Sequence, residues 1–475
     1  MDISFLNNYK KKFYVLTFII TLGLFLRLYN INFEDLWFDE QAGFLVADPK
    51  LNISETILLA KNQDYGTSLF FNLILKKFFG LFGYNPDIGR ILTVFFGVIS
   101  IPALCYLTFQ IKKNSGYLLV AFLSSISWYL ISYSQELRPY SLLFLLSILS
   151  VIFFFKLMDE DNKTIKLNFF LFVIFSSLAA VTHIFFFIII LSQFIFLIVN
   201  KFEIKDYFYI KLFSVILITL IYIFVMYDFL ILQIQLGNQD WWIQQVKLEF
   251  FINFFFSRYF GSKIMGLIYL LILIYLITIQ RKTVFKLSSK YFFLILILFF
   301  SYFLPLTYSL FRQPILTDRY IIFVLIPILI LISSLIFEIK PKKLKIFLLI
   351  LLLFSTITNN YIEIFQREIS KPEFKNTIKY IINSKTNNNI FVLANDKKVK
   401  EIVGNYTKVI ISNENVDFNF LDEINKNDLS EFWILCYEPV NNFQCIPPKI
   451  NSNNFIKKDK IKLKLINAVL YKKDL

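Results

Sequence analysis

The sequence predicts a mainly α-helical polytopic membrane protein with about eleven transmembrane helices and a small α/β domain at its C-terminal end. Three observations predict this class. Of the 475 residues, 57% are hydrophobic, and the mean hydropathy is +0.61. Apolar runs of about 17 to 25 residues, long enough to cross a bilayer, recur from residue 13 to residue 355. Lysine and arginine cluster in the short connections between these runs, as topology determinants do.

The first apolar run, at residues 13–29, follows a cluster of three lysines, so we expect the N-terminus to be cytoplasmic. This run lacks a small-residue cleavage site and is therefore expected to remain as a span rather than to be removed as a signal peptide. Residues 31–88 are then expected to form a long outer loop. Within this loop, residues 67–83 are apolar but short and contain Lys76 and Lys77, which indicates a helix lying at the interface.

The later spans follow from the same two patterns. The run at 167–199 is too long for one span, so a tight hairpin is expected, with His183 at its outer tip. Each connection assigned to the cytoplasm carries at least two Lys or Arg residues. The other predicted spans are residues 88–111, 117–133, 141–155, 212–232, 264–279, 291–310, 320–337 and 344–358.

Two domains are predicted. Residues 1–358 form the transmembrane domain, which includes the outer loop with its acidic residues. Residues 359–475 are less hydrophobic, and they are expected to form a small α/β domain on the non-cytoplasmic side. Cys436 and Cys445 are too few for a disulfide scaffold but enough for one bridge. An amphipathic helix and three strand-like runs are predicted in this domain, at 374–382, 389–394, 409–411 and 431–436.

With this topology, the unusual polar residues gather at the outer ends of the spans. Charged groups near a bilayer are costly unless they are exposed or paired, so their convergence on one face indicates a site. These residues are Asp39, Glu40, Asp64, Arg90, Glu136, Arg138, His183, Arg312, Asp318 and Arg319.

Each of these residues also has a plainer interpretation. The acidic segment after the first span is compatible with a solvated loop that caps the next helix. Arg90 is compatible with an anchor at the lipid headgroups, and Glu136 is compatible with a local pair with Arg138. Arg319 is similarly placed to pair with Asp318. A single histidine is more often structural than functional.

A carboxylate beside several arginines at a membrane face suits a reaction of a lipid phosphate. Arginines would hold the phosphate and stabilise the charge on the departing oxygen. A carboxylate would accept the proton from an incoming hydroxyl as a general base. The sequence has no Walker-type loop for ATP, so the energy is expected to arrive within a lipid-linked donor.

Short motifs follow one another along almost the whole chain. They are Leu36-Trp37-Phe38-Asp39-Glu40, residues 64–71, Gly89-Arg90, residues 134–140, Thr182-His183, Asp318-Arg319-Tyr320 and Lys371-Pro372-Glu373-Phe374. In their order and membrane side, these motifs resemble those of the polytopic GT-C glycosyltransferases. This superfamily includes the protein O-mannosyltransferases and the bacterial aminoarabinose and lipopolysaccharide-core sugar transferases.

The resemblance implies transfer of a sugar from a polyprenyl-phosphate donor to a glycan, lipid or protein acceptor on the non-cytoplasmic face. Asp39 would be the general base, with Glu40 beside it. The donor phosphate would be bound by Arg138, Arg319 and Arg90. The residues expected to line the cavity are Asp64, Glu136, Tyr140 and His183.

The resemblance also sets expectations for location, partners and cofactors. The bacterial inner membrane is the expected location. The partners would be the lipid-linked donor, the acceptor and membrane lipids, and no nucleic acid is expected, because the basic residues behind the formal charge of +15 lie between spans. A divalent metal is allowed but not required. The family often has a Pro-Pro-Leu or His-Pro-Leu element where this chain has Gly66-Thr67-Ser68-Leu69, which leaves the acceptor and the role of Asp64 open.

A transporter or flippase of lipid-linked sugars is the main alternative, because it would also need arginines and a lateral opening. Such a transporter should carry polar residues along a path through the membrane midplane and often shows internal repeats. Here the polar residues cluster at one face, and the sequence has no convincing repeat. A polymerase or ligase of surface polysaccharide would need a large outer loop that dominates the chemistry. The Asp-Glu pair of the first loop therefore favours the transferase.

Overall fold

The computed structural model describes residues 3–64, 68–114, 116–158, 164–201, 208–236, 256–312, 314–384, 389–394, 397–410, 417–420, 429–437 and 455–473. The chain divides into two compact units. The membrane unit comprises residues 1–30 and 43–367, and the C-terminal unit comprises residues 31–42 and 368–475. A short piece of the first long loop therefore belongs to the same compact unit as the end of the chain.

The membrane unit is built from helices, and the helix predicted at 67–83 is present as α4, whose place at the membrane interface stays a prediction. Pro86 at the first position of α5 suits a helix start, because the N–H that proline lacks would have no helical partner there. The helices of the first half are α1 (Ile3–Leu28), α2 (Phe38–Val46, which begins in the C-terminal unit), α3 (Ile53–Asp64), α4 (Leu69–Phe82), α5 (Pro86–Ile111), α6 (Gly116–Ile126), α7 (Trp128–Ser134) and α8 (Tyr140–Met158).

The later helices follow in the order of the predicted spans. The predicted hairpin is present, because α9 ends at Thr182, His183 lies at the turn, and a 3₁₀ turn (Ile184–Phe186) leads into α10. The helices are α9 (Ile165–Thr182), α10 (Phe187–Val199), α11 (Phe208–Leu236), α12 (Phe256–Phe260), α13 (Lys263–Ile279), α14 (Arg281–Val284), α15 (Lys290–Phe311), a 3₁₀ segment (Arg319–Val324) that continues as α16 (Leu325–Glu338), and α17 (Lys342–Phe365).

Seven helices of the described part of the chain are long and apolar enough to cross a membrane, and the bent pair of α6 and α7 would make an eighth. The predicted fold class, a mainly α-helical polytopic membrane protein, is therefore confirmed. The remaining predicted spans are also helical, in α1, α10 and α13, but α10 and α13 are shorter, so the number of eleven spans stays a prediction. The last helix, α17, continues to Phe365, and the predicted domain boundary after residue 358 lies inside it.

The predicted span at 117–133 is broken. α6 ends at Ile126, α7 begins at Trp128, and the two helices are bent by 54°. The hydroxyl of Ser127 accepts from the backbone N–H of Leu130 and so caps the start of α7. A break of this kind leaves the last carbonyls of α6 without helical partners, and within a bilayer the protein itself must supply those partners.

Arg27 of α1 supplies partners for two of these carbonyls. Its guanidinium is buried, with the residue only 1% exposed, and it donates to the carbonyl oxygens of Ser124 at 3.1 Å and Ser125 at 3.0 Å. The same group donates to the carbonyl of Gly23 at 3.0 Å and to Oγ of Ser134 at 3.2 Å. A cation beside the C-terminal end of a helix is also favoured by the helix dipole. Arg27 therefore stabilises the bend through backbone dipoles.

Two further features support the bend, one hydrogen bond and one space left by a glycine. Asn360 of α17 donates from Nδ2 to the carbonyl of Ile126, the last residue of α6. Gly97 of α5 leaves room for the arginine, because a Cβ at this position would lie 2.1 Å from Oγ of Ser134 and 3.0 Å from Nε of Arg27. The bend thus depends on side chains or space contributed by α1, α5 and α17.

The C-terminal unit confirms the predicted small α/β domain. In its described part, a mixed sheet has the strand order β2-β1-β3-β5-β4. β1 is parallel to β2 and β3, whereas β5 is antiparallel to β3 and β4. The elements are α18 (Phe374–Asn383), β1 (Asn389–Ala394), α19 (Lys397–Ile410), β2 (Asp417–Phe420), β3 (Glu431–Tyr437), β4 (Phe455–Leu463) and β5 (Ile466–Lys473).

One predicted strand of this unit is wrong. The run at 409–411 is predicted as a strand, but Val409 and Ile410 are the last residues of α19, and Ile411 lies outside the described residues. Three apolar residues are too short a pattern to distinguish a strand from the last turn of a helix. The predicted runs at 389–394 and 431–436 are strands β1 and β3, and the predicted amphipathic helix is α18.

Replacing Gly97 with alanine is expected to destabilise the membrane unit. The added methyl group would overlap Ser134 and displace Arg27 from the carbonyls of α6, and overpacking of this kind costs about 1 to 3 kcal/mol. The melting temperature of the purified protein in detergent micelles measures this loss. Gly80→Ala is the matched control, because a Cβ there would lie no closer than 4.0 Å to its neighbour Pro49. Equal melting temperatures for the two variants would contradict this account of the bend.

Candidate active site

The acidic segment after α1 is held by a short stretch of the C-terminal unit. Oε1 of Glu34 accepts from the backbone N–H of Ser370 at 2.8 Å and from its hydroxyl at 2.6 Å. Oδ2 of Asp35 accepts from the backbone N–H of Lys375 at 2.7 Å. These carboxylates are therefore partners of residues far along the chain, and they are not the solvated acids of a free loop.

The apolar residues of the segment pack within the same unit. Leu36 is buried, and its backbone N–H donates to the hydroxyl of Tyr406 at 2.6 Å. The ring of Phe38 has its centroid 5.0 Å from the ring of Tyr437 and 6.2 Å from the ring of Phe374. The segment is thus fixed by backbone, carboxylate and aromatic contacts together.

Glu40 joins the start of α2 to the same stretch. Its Oε2 accepts from Nζ of Lys371 at 2.7 Å and from the backbone N–H of Trp37 at 2.9 Å. Trp37 precedes the first residue of α2, so Glu40, the third residue of the helix, reaches back to the N-cap position as the glutamate of a capping box does. The buried Glu40 therefore defines where α2 begins.

Asp39 lies in the first turn of α2, between Phe38 and Glu40, and it is partly exposed. The first turn of a helix presents N–H groups and the positive end of the helix dipole, so a carboxylate is favoured there. A partly exposed carboxylate whose chain neighbours are fixed is suited to accept a proton from a bound hydroxyl.

In the membrane unit, Arg138, Tyr140 and Arg319 form a group. The guanidinium carbons of Arg138 and Arg319 lie 5.8 Å and 6.0 Å from the centroid of the Tyr140 ring. Arg138 is buried in the turn after α7, Tyr140 begins α8, and Arg319 begins the 3₁₀ segment before α16. Cations stack on aromatic rings because the ring quadrupole attracts them. One tyrosine ring therefore orients two guanidinium groups from different parts of the chain.

His183 lies beside this group. The centroid of its ring is 4.9 Å from that of Tyr320 and 6.2 Å from that of Tyr140. Burial, together with the positive charges of the two nearby arginines, lowers the pKa of the imidazole well below its usual value. His183 is therefore uncharged at neutral pH.

A second network surrounds Asp318. Its Oδ2 accepts from the hydroxyl of Tyr129 at 3.3 Å and lies 3.7 Å from Nε of Arg258, and the hydroxyl of Tyr259 donates to its backbone carbonyl at 2.9 Å. Sequence reasoning missed these three partners. Aromatic residues make up 19% of the chain, so a tyrosine carries no signal of its own. The signal that could have been used is Arg258, a charge within an aromatic run.

The remaining predicted residues occupy the following positions in the fold. Arg90 is buried near the start of α5, and Glu136 is partly exposed in the turn after α7. Asp64 is the last residue of α3, and its side chain lies outside the described residues. The predicted site residues that the described contacts bring together are Arg138, Tyr140, His183 and Arg319.

Metal ions in proteins are held by clusters of His, Cys, Asp or Glu side chains. Among the residues that the structure describes, no group of three or more such side chains could hold a metal ion. The described part of the chain therefore shows no ligand set for the divalent metal that the resemblance allows.

No family model and no curated protein matches this chain in sequence. The chain shares its fold with solved structures of ArnT and of an oligosaccharyltransferase, so the resemblance is confirmed at the level of the fold alone. ArnT from Cupriavidus metallidurans in the apo state matches with a TM-score of 0.64 at 10% identity, over 98% of this chain and 98% of that chain. ArnT bound to undecaprenyl phosphate matches with a TM-score of 0.58 at 9% identity, over 97% and 98%.

The oligosaccharyltransferase of Archaeoglobus fulgidus has a similar fold. Its structure with a tethered acceptor peptide matches with a TM-score of 0.52 at 10% identity, over 89% of this chain and 68% of that chain. Another structure of that enzyme is a complex with Zn and sulfate. At these identities the likeness concerns the fold.

The imidazole of His183 is expected to remain neutral well below pH 6.5, its ordinary pKa, because burial and two arginines oppose its protonation. His183 is the only histidine, so protein labelled with nitrogen-15 histidine gives one imidazole signal, and its chemical shift reports the charge. Arg138→Met removes one of the opposing charges and should move the titration to higher pH. A wild-type titration near pH 6.5 would contradict the described surroundings of the ring.

A measurement of stability checks the same shift. As the pH falls from 7 to 5, the unfolded chain takes up a proton at His183 before the folded protein does, so the free energy of unfolding decreases. In His183→Asn this contribution should be absent, so the melting temperature of the variant should fall less between pH 7 and pH 5 than that of the wild type. An equal fall in both proteins would show that His183 contributes nothing to the pH dependence.

Proposed function

We propose that this chain is a membrane glycosyltransferase that transfers a sugar from a polyprenyl-phosphate donor to an acceptor on the non-cytoplasmic face. The observation that carries the proposal is the group of Arg138, Arg319 and Tyr140 beside the neutral His183, within a unit of apolar helices. Two positive charges on a hydrophobic helical body match a lipid phosphate, which has an anionic head and an apolar tail.

Arginine is well suited to the proposed donor. Its planar fork of N–H groups matches phosphate oxygens and can bind two of them at once. Arg138 and Arg319 are the first candidates for this role, and Arg90 is a third. ArnT, which has the same fold, was solved with undecaprenyl phosphate bound, and this supports a lipid phosphate as the ligand.

Asp39 is proposed to act as the general base. It accepts the proton of the acceptor hydroxyl as the hydroxyl oxygen forms its bond to the anomeric carbon of the sugar. The bond from that carbon to the phosphate oxygen breaks, and its electron pair leaves with the polyprenyl phosphate. Arg138 and Arg319 stabilise the charge that develops on this oxygen. Glu40, which is buried and paired with Lys371, holds the start of α2 and does not transfer the proton.

The remaining predicted residues receive supporting roles. Tyr140 orients the two arginines through its ring, and His183 lines the phosphate side of the cavity as an uncharged group. Glu136 lies in the same turn as Arg138 and is proposed to line the cavity as well. Asp64 keeps the cavity-lining role that the resemblance implies.

The proposal places the protein in a bacterial inner membrane, with its C-terminal unit on the non-cytoplasmic side. Cys436 in β3 is disulfide-bonded, and disulfides persist in oxidising compartments rather than in the cytosol. The lysine-rich connections would then face the cytoplasm, as the positive-inside rule requires. Both observations support the same orientation.

The acceptor is proposed to be a glycan, a lipid or a protein, and a divalent metal is compatible with the reaction. The oligosaccharyltransferase with the same fold was solved with an acceptor peptide and, separately, with Zn. A metal would assist the departure of the phosphate by neutralising its charge. In this chain Arg138 and Arg319 are proposed to supply the positive charge that neutralises the phosphate.

Replacing Arg138 or Arg319 with methionine is expected to weaken the binding of undecaprenyl phosphate by about tenfold to 100-fold, because charge-assisted hydrogen bonds contribute about 1.5 to 3 kcal/mol each. Methionine keeps most of the apolar stem of arginine and removes its charge. Native mass spectrometry of the purified protein with added undecaprenyl phosphate measures the affinity. Arg281→Met, at an exposed position at the start of α14, is the matched control and should bind normally. Normal binding by both test variants would contradict the phosphate site.

Replacing Asp39 with asparagine is expected to abolish transfer, because the amide cannot accept the proton. In native-host cells with matched membrane expression, one sugar should be lost from one envelope or secreted glycan, and its lipid-linked donor should accumulate. Asp48→Asn is the control, since Oδ1 of Asp48 accepts from the backbone N–H of Lys50 and an amide oxygen can do the same. An unchanged glycan profile, in a host where deletion of the protein alters it, would remove Asp39 from the mechanism. The transporter of lipid-linked sugars would then be the better hypothesis.

A further inference from the structure

The C-terminal unit contains a cluster of three charged side chains, in which one lysine interacts with two glutamates. Nζ of Lys371 lies 2.7 Å from Oε2 of Glu40 and 4.0 Å from Oε2 of Glu34. All three residues are buried, with exposures of 6% for Lys371, 1% for Glu40 and 5% for Glu34. Glu34 is also held by the backbone N–H and the hydroxyl of Ser370. One lysine thus connects two carboxylates that flank the proposed catalytic segment.

Stability alone is a weak reason for such an arrangement. Removing charges from water is costly, and apolar residues of similar volume often replace buried ion pairs without loss of stability. What an ion pair provides is a defined geometry, because the charge-assisted hydrogen bond between Lys371 and Glu40 is short and directional. The two partners are 331 residues apart in sequence, so this geometry fixes a loop that local structure does not fix.

We infer that the C-terminal unit serves the reaction by positioning Asp39, and that Lys371 is its positioning residue. Asp39 precedes Glu40 directly, and both lie in the first turn of α2, so any movement of Glu40 moves Asp39 with it. Lys371 fixes Glu40, and Glu40 in turn bonds the N–H of Trp37 and sets the start of the helix. This inference rests on the proposed function, since it takes Asp39 as the base.

The inference also gives a function to the fold of this unit. α18 begins at Phe374, three residues after Lys371, and packs its apolar face within the unit, so the lysine is attached to a rigid element. The backbone N–H of Lys375 in the first turn of α18 binds Asp35. A short stretch at the edge of a packed helix thus holds the acidic segment at several points, and the sheet domain provides the support behind it.

Three variants test the role of Lys371. Lys371→Met removes the charge and leaves two buried carboxylates without their cation, whereas Lys371→Arg keeps a cation. Lys379→Met, at an exposed position of the same α18, is the matched control. Hydrogen–deuterium exchange of the purified protein, followed by mass spectrometry of the peptide covering residues 31–42, reports the local order of the segment. Transfer is measured by the glycan and donor analysis in cells, and binding of undecaprenyl phosphate by native mass spectrometry.

We expect Lys371→Met to increase exchange in residues 31–42 and to lower transfer by about tenfold to 100-fold, since small displacements of a catalytic group have effects of this size. Binding of undecaprenyl phosphate should stay at the wild-type value, because the proposed phosphate ligands belong to the membrane unit. Lys371→Arg should restore both exchange protection and transfer, and Lys379→Met should resemble the wild type in all three measurements.

Three outcomes would overturn the inference. Unchanged exchange in residues 31–42 in Lys371→Met would show that the lysine does not hold the segment. If Lys371→Met loses lipid binding as well as transfer, the lysine has a merely structural role. The same conclusion follows if Lys371→Arg restores exchange protection but does not restore transfer. A failure of the proposed function can be told apart from a failure of this inference. If the proposed function is wrong, Asp39→Asn leaves the glycan unchanged, however much the lysine variants change the exchange of residues 31–42.

Discussion

Hydrocarbon offers no hydrogen bonds, so a carbonyl that leaves a helix inside a bilayer must find its partner within the protein. The bend between α6 and α7 meets this requirement mainly through Arg27, whose guanidinium binds the carbonyls of Ser124 and Ser125. Much of the membrane unit follows from the bend. α7 turns toward the 3₁₀ segment, the hydroxyl of Tyr129 reaches Asp318, and the turn after α7 carries Arg138. Without the guanidinium, the carbonyls of Ser124 and Ser125 would lose these partners, and the bend would be destabilised.

The chain deals with buried charge in three ways, and each way indicates a different role. Arg27 is surrounded by carbonyl and hydroxyl dipoles, which solvate the cation but do not move, so it serves the fold. Lys371 is paired with carboxylates, and this pairing fixes a loop. The guanidinium groups of Arg138 and Arg319 lie over the ring of Tyr140, whose attraction orients them.

The residues whose placement could be predicted are those that depend on local pattern. The lengths of the apolar runs predict the helices. The run at 167–199 is too long for a single span, so a hairpin is predicted with His183 at its turn. The bend at Ser127 has no local signal, since neither glycine nor proline interrupts the apolar run there, and its cause lies in Arg27, about a hundred residues earlier. The partner of Glu40 was equally hidden, because a lysine near the end of the chain gives no sign of which carboxylate it meets. The motifs identified several candidate residues, but the Asp-Glu motif does not distinguish its two acids. The contacts distinguish them, because Glu40 bonds Lys371 and the N–H of Trp37 and so holds the segment.

The neutral state of His183 limits the mechanism in a useful way. Because His183 is neutral, the positive charge beside the proposed phosphate site comes from Arg138 and Arg319. The proposed transfer needs no acid. Its departing group would be a phosphate monoester, whose conjugate acid has a pKa of about 6, so it can leave as an anion near neutral pH. The proton that must be moved is therefore the one on the acceptor hydroxyl. In the proposed mechanism a single carboxylate in a fixed position is sufficient for that step, so the position of Asp39 would matter more than any additional acid or base in the site.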